Sequence, residues 1–125
     1  MRRILIVLGA LSLLAACGGS YEAADRNESG DIADGDTEYD GKKCDSYDVS
    51  VGEGWTIRAD MDSEYDNYVA VTHGGAEVGY NDDGEGLNAR LNHTAAEAGD
   101  YTIQACAYSD GRGAYTLHIV TAAGN

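Results

Sequence analysis

From Cys44 onward the chain alternates apolar and polar residues with a period of two, which commits it to β-strands with one face buried. Tyr47, Val49 and Val51 alternate with Ser46, Asp48 and Ser50, and Trp55, Ile57 and Ala59 with Thr56 and Arg58. Val69 with Val71 and Val78 with Tyr80 form shorter apolar pairs; Leu87, Ala89 and Leu91 follow, then Tyr101, Ile103, Ala105 and Ala107, and finally Tyr115, Leu117 and Ile119. Turn-forming residues separate these runs, most plainly at Ser109-Asp110-Gly111-Arg112-Gly113. There is no proline and no phenylalanine, against nine tyrosines and 17 glycines, a balance suited to short strands joined by tight turns. The expected fold is all-β: an antiparallel, jelly-roll-like sandwich of about seven to eight short strands over residues 42–125. Only the stretch around Ala95 and Ala98 has the composition of a helical turn, too short to change the class.

The N-terminus has a different character. Met1-Arg2-Arg3 is a short basic start, and residues 4–16 are apolar apart from Gly9 and Ser12. That run is too short to span a bilayer and has the length of a secretion signal's hydrophobic region. Leu14-Ala15-Ala16-Cys17 resembles the lipobox of bacterial lipoproteins. The resemblance implies cleavage after residue 16 and acylation of Cys17 with lipid chains such as palmitate, an anchor stabilised by about 0.8 kcal/mol per buried methylene. Gly18, rather than an aspartate, favours the outer membrane over the inner one, facing the periplasm or the surface. The competing reading is an ordinary signal peptide beside a chance cysteine. Residues 17–41 hold almost no apolar side chain and are expected to form an acidic, disordered tether.

The formal charge is −14, and the expected leader takes two arginines with it. Such a chain repels nucleic acid and anionic membrane surfaces and attracts a cationic partner or a metal ion. With Cys17 acylated, Cys44 and Cys106 remain, both with parity opposite to the core-facing residues of their strands. In an oxidising compartment they are expected to bridge neighbouring strands, worth about 4 kcal/mol in the chain-entropy model; the alternative is two free thiols. No C-x-x-C pair is present, and His73, His93 and His118 lack zinc-ligand spacing.

Six pieces in order carry a family resemblance. They are Tyr47-Asp48-Val49-Ser50-Val51, Gly52-Glu53-Gly54-Trp55-Thr56-Ile57, Asp66-Asn67-Tyr68-Val69-Ala70-Val71, Gly79-Tyr80-Asn81-Asp82-Asp83-Gly84, Ala98-Gly99-Asp100-Tyr101-Thr102-Ile103 and Gly113-Ala114-Tyr115-Thr116-Leu117-His118-Ile119. Together the stretch resembles the bacterial pre-peptidase C-terminal domain. The resemblance implies a non-catalytic sandwich appended to secreted hydrolases, with relatives that bind collagen or other polymers and take up calcium. No peptidase domain is read in residues 1–41, so the module is expected to act alone or with a partner.

Two segments share the pattern Asp-x-Asp-(Ser/Thr)-Glu-Tyr-Asp: Asp34, Asp36, Glu38 and Asp40 in the expected tether, and Asp60, Asp62, Glu64 and Asp66 in the domain. Closely spaced carboxylates gain most from a hard divalent cation with oxygen ligands. Calcium bridging the two segments is one expectation, with Asp82 and Asp83 as a second candidate cluster; solvated acidic loops are the other. Neither segment is an EF-hand, because Tyr39 and Tyr65 stand where that loop's turn needs glycine. The chain has no G-x-S-x-G, no H-E-x-x-H and no phosphate-cradling loop, so it is not expected to be an enzyme. Trp55 and the tyrosines could form a sugar-stacking platform, although Trp55 has core parity. The expected function is a lipid-anchored envelope module that binds a protein or polysaccharide. The competing readings are a structural envelope lipoprotein without a ligand, and a small hydrolase, which would need a pocket converging on two carboxylates or on one with His93 or His118.

Overall fold

The computed structural model describes residues 20–124. The leader and Cys17 lie outside the described residues. Nine strands run in order: β1 (Ala24–Ile32), β2 (Thr37–Tyr39), β3 (Lys42–Val51), β4 (Thr56–Ser63), β5 (Asn67–His73), β6 (Ala76–Asn81), β7 (Arg90–Thr94), β8 (Gly99–Ala107) and β9 (Gly113–Ala122). They form a four-stranded sheet, β1-β9-β4-β7, and a five-stranded sheet, β2-β3-β8-β5-β6. Every pairing is antiparallel. The all-β sandwich follows from the alternation, and the seven expected strands correspond to β3 through β9. The stretch 95–98 makes a bend rather than a helical turn.

The alternating residues meet between the sheets. Val51, Ile57, Ala59, Met61, Val69, Val71, Ile103, Leu117 and Ile119 are all fully buried there. Burying each large aliphatic side chain contributes about 1.5–3 kcal/mol. Tyr47 and Trp55 pack on this core from its edge, as their parity requires. Leu87 departs from expectation. It is 56% exposed in the turn closed by the Glu85–Asn88 bridge, and β7 begins only at Arg90.

The main correction concerns the tether. Residues 24–39 are not a disordered lead-in; they supply β1 and β2. β1 pairs along its whole length with β9, from Ala24 opposite Thr121 to Ile32 opposite Gly113. The physical reason is that β1 buries little apolar surface of its own. Its half-buried positions are Ala24, Arg26, Glu28 and Gly30, and only Ile32 is fully buried. Backbone pairing and an inward ion pair do the rest: Arg26 contacts Glu28 at 2.9 Å and donates to the Asp48 carbonyl at 2.9 Å. β2 is closed onto β3 by Asp40 and Gly41, both with positive φ (51° and 78°), the left-handed pair that a two-residue hairpin turn needs.

Two polar residues are buried among the described residues, Asn67 and Thr121, and Asn67 makes the larger network. Asn67 is fully buried; its amide nitrogen donates to Ser63 Oγ at 2.8 Å and Asn88 Oδ1 at 3.0 Å, and its oxygen accepts from the Ala89 amide at 2.7 Å. It ties the 85–89 turn to the start of β5, beside the backbone hydrogen bond from the Asn67 amide to the Leu87 carbonyl at 3.1 Å.

Candidate functional site

Residues on the outer face of the five-stranded sheet are built on the disulfide. Cys44 on β3 stands directly opposite Cys106 on β8, and Cys106 opposite Tyr68 on β5. The two cysteines are bonded, with Cα atoms 4.1 Å apart. They pack with Tyr68 and Ala70 into a second buried cluster, roofed on one side by Tyr39. Period-two alternation explains this face: Tyr68 and Ala70 point away from the core that Val69 and Val71 enter.

Two further tyrosines gather around it. Tyr80 stacks on Tyr68 with centroids 5.6 Å apart and rings 19° from parallel, and Tyr108 lies at 6.4 Å. The Lys42 ammonium sits 4.3 Å from the Tyr68 ring centroid and 5.7 Å from that of Tyr108. Glu77 accepts hydrogen bonds from the Tyr39 hydroxyl at 2.6 Å and the Tyr68 hydroxyl at 3.1 Å. Burial, then the Glu77 carboxylate, pushes both phenols well above their ordinary pKa, so they remain donors throughout the physiological range. Tyr80 and Tyr108, 59% and 44% exposed, are what this arrangement offers to solvent. The result is an aromatic face carrying one cation, Lys42, and two anions, Glu77 and the Asp40 carboxylate 3.4 Å from the Lys42 ammonium. Tyrosines held this way lose little conformational entropy on contact, which is why they are enriched in protein-binding surfaces.

A second concavity, about 690 Å³, lies at the sandwich end where β1 finishes and β9 starts. Tyr115 crosses Gly30 there, and its hydroxyl donates to Asp45 at 2.6 Å while accepting from Tyr47 at 2.5 Å. The carboxylate can only accept, which fixes these directions. Burial and the Asp45 hydrogen bond push the Tyr115 phenol far up; burial brings Tyr65, which donates to the Gly113 carbonyl at 2.9 Å, to about 12. Asp31, Asp62, Glu64 and Arg112 line the rim. The Tyr115 and Tyr65 hydroxyls are thereby held protonated.

The carboxylates expected to hold calcium are dispersed. Asp34 pairs with Arg112 at 2.7 Å, Glu38 with Lys43 at 3.3 Å, Asp60 with Arg58 at 3.1 Å and Asp62 with Arg90 at 2.7 Å. Asp36 accepts from the Ala33 amide at 2.8 Å and closes its own turn. Asp60 and Asp62 are strand residues, not loop residues, and Glu64 and Asp66 occupy the bend after β4. Among the described residues no three His, Cys, Asp or Glu side chains converge as a metal site requires, so the bridging arrangement does not fit. Asp66, Asp82 and Asp83 do lie close enough to influence one another. Burial, Asp83 and Asp66 together raise the Asp82 pKa. Asp60 Oδ1 is buried without a hydrogen-bond partner among the described residues. His118 bonds Asp25 at 2.7 Å on the outer face of the four-stranded sheet, and His93 is half-buried with its pKa lowered by burial. Neither histidine lines the concavity beside Tyr115.

Sequence reasoning missed Tyr39, Lys42, Tyr68, Glu77, Tyr80 and Tyr108 as a set. The signal was the shared parity of Cys106 and Tyr68 with their outward-facing neighbours, which the cysteine argument used for the disulfide alone.

The two facing antiparallel sheets define a β-sandwich. The chain is similar to the crystal structure of the pre-peptidase C-terminal domain of Bacillus anthracis collagenase, with TM-score 0.59 and 19% identity over 76% of this chain and 88% of that one. It is also similar to the Aeromonas hydrophila periplasmic inhibitor of g-type lysozyme, with TM-score 0.57 and 16% identity over 87% of this chain and 93% of that one. The Salmonella Typhimurium inhibitor of the same type gives TM-score 0.51 and 13% identity, over 86% and 95%. At these identities the likeness shows the fold. No protein-family model and no curated protein matches the chain.

Proposed function

We propose that this chain is a lipid-anchored, non-catalytic module of the cell envelope that holds a protein partner on its tyrosine face. The observation that carries the reading is the set Tyr39, Tyr68, Tyr80 and Tyr108 over the Cys44–Cys106 bridge, locked by Lys42 and Glu77. A buried bridge, a cation over a ring and two phenols on one carboxylate fix a surface before any partner arrives, which lowers the ordering cost of binding. Support for a protein partner comes from the similar periplasmic inhibitors, whose described target is itself a protein. Cys17 supplies the anchor in this reading, and Gly18 favours the outer membrane.

The test is affinity capture from envelope extract with the mature protein and with a Tyr80→Ala/Tyr108→Ala variant, alongside binding to purified cell-wall polysaccharide. A stoichiometric protein lost with the variant supports the reading. Polysaccharide binding without a protein, or capture that the variant leaves unchanged, refutes it. Fatty-acid labelling abolished by Cys17→Ser tests the anchor separately.

A further inference from the structure

We infer that the pole of the sandwich carrying Tyr21 and Trp55 rests on the lipid surface, which turns the tyrosine face and the Tyr115 concavity toward the opposite side. The inference rests on acylation of Cys17, as proposed above.

The argument begins with reach. The described chain starts at Ser20, three residues after Cys17, and three residues span at most about 10 Å. From there the chain is pinned. Tyr21 meets Trp55 edge-on, with ring centroids 6.2 Å apart. Gly52 is the floor under both rings, since a Cβ there would lie 2.9 Å from the Trp55 indole nitrogen and 3.4 Å from Tyr21. The Ala24 amide donates to Thr121 Oγ1 at 2.9 Å, and β1 begins. An anchor on Cys17 is therefore held beside this pole, not at the end of a long tether.

Direction follows from the strands. β1 has nine residues and, at about 3.3 Å each, carries the chain roughly 30 Å from its entry. Ile32, at its far end, stands opposite Gly113, and β3 starts at Lys42 on that side, with Cys44, Cys106 and Tyr68 in one row. The reach from Cys17 is about a third of the strand length, so the sandwich cannot invert to stand on its far pole. Lying flat on the four-stranded sheet would press Asp25, Asp31 and Asp62, all exposed on its outer side, against the headgroups. By contrast, Trp55 and Tyr21 have the apolar body and polar tip that settle at a membrane–water interface. Glu22 and Glu53 are exposed at the same pole, so the fitting surface is zwitterionic rather than anionic.

Trp55 is the chain's one tryptophan and so reports on its own position. The acylated protein, with acylation verified by the mass of its N-terminal peptide, is reconstituted in phosphatidylcholine vesicles carrying headgroup nitroxides. Trp55 emission should fall at least about twofold, because the ring lies near a residue with only about 10 Å of reach. In a Trp55→Phe/Asp110→Trp variant the reporter moves to an exposed turn at the far pole, and quenching should vanish. No quenching of Trp55 in verified lipoprotein, or equal quenching at both positions, overturns the orientation and leaves the anchor standing. Absence of the acyl mass overturns the anchor itself.

Discussion

Replacing Gly30 with alanine separates an ordered β1 from a disordered lead-in by the sign of the effect. In an unpaired segment, or at a site with room, Gly→Ala is neutral or stabilises by about 0.4–1 kcal/mol through the unfolded chain. In β1 the added Cβ would lie 2.5 Å from the Tyr115 hydroxyl, 2.7 Å from Cζ and 2.9 Å from Cε2. Tyr115 cannot step aside cheaply, because it is 3% exposed and its hydroxyl is bonded to Asp45 at 2.6 Å. Overpacking costs about 1–3 kcal/mol, and losing a hydrogen bond to a charged group about 1.5–3 kcal/mol. A net loss of about 2–4 kcal/mol is expected, which for a domain of this size lowers the thermal midpoint by about 10–25 °C. Gly35→Ala is the control: nothing lies within 4 Å of its added carbon, so its change should stay within about 0.5 kcal/mol. Calorimetry of the wild type and both variants at one pH decides the matter. A Gly30→Ala midpoint at or above wild type would refute the packing of β1.

Removing the disulfide with Cys44→Ala/Cys106→Ala should cost about 4 kcal/mol for a bridge of sequence separation 62, read as a lower denaturation midpoint that reductant no longer changes. Asp82 should show the opposite sign to a salt-bridged carboxylate. Its pKa is raised in the folded chain, so its stabilising contribution is complete below the unfolded pKa and disappears as pH rises through the folded one. Asp82→Asn should therefore stabilise by up to about 0.5 kcal/mol at pH 7, with the difference closing below about pH 4 in a pH series of urea melts. Calcium titration of the mature protein should give no saturable heat assignable to residues 34–38 and 60–66, because Arg112, Lys43, Arg58 and Arg90 pair with Asp34, Glu38, Asp60 and Asp62, four of the seven carboxylates there, and the rest are dispersed. Saturable binding abolished by Asp60→Asn/Asp62→Asn would contradict that placement.

Where apolar residues alternate along a whole strand the sequence is a faithful guide, whereas Val78, Tyr80 and Leu87, from shorter or turn-bound runs, are exposed. Ile57, Ala59 and Met61 enter the core, as do Tyr101, Ile103 and Ala105, and the parity of Cys44 and Cys106 placed both on the far face of their sheet. β1 escaped because its inward positions are Arg26, Glu28 and Gly30, which no hydrophobic pattern registers; charge pairing and a tyrosine lid replace aliphatic packing. β2 did carry a local signal in the Asp40-Gly41 turn, hidden within an acidic run. The tyrosine face was only half legible. Alternation locates Tyr68, but its neighbours Tyr39, Tyr80 and Tyr108 come from different strands and a turn, and strand order is not written in local pattern. The acidic echo had the reverse fault: a repeated motif whose copies settle in unlike places, one in a turn and a short strand, the other along β4.

The pairing of β1 with β9 has a consequence for how the protein comes into being. β9 is an inner strand of its sheet, flanked by the first strand on one side and β4 on the other. A chain that emerges N-terminus first thus holds β1 without a partner until the residues near Thr121 have been released. Closing so long a loop is entropically costly and slow, and sheets dominated by such contacts fold in milliseconds to seconds. The polar inner side of β1 then acquires a second use. A waiting strand built on Arg26, Glu28 and Gly30 offers little for aggregation to grip, where an aliphatic one would be a hazard at every moment before the last strand arrives.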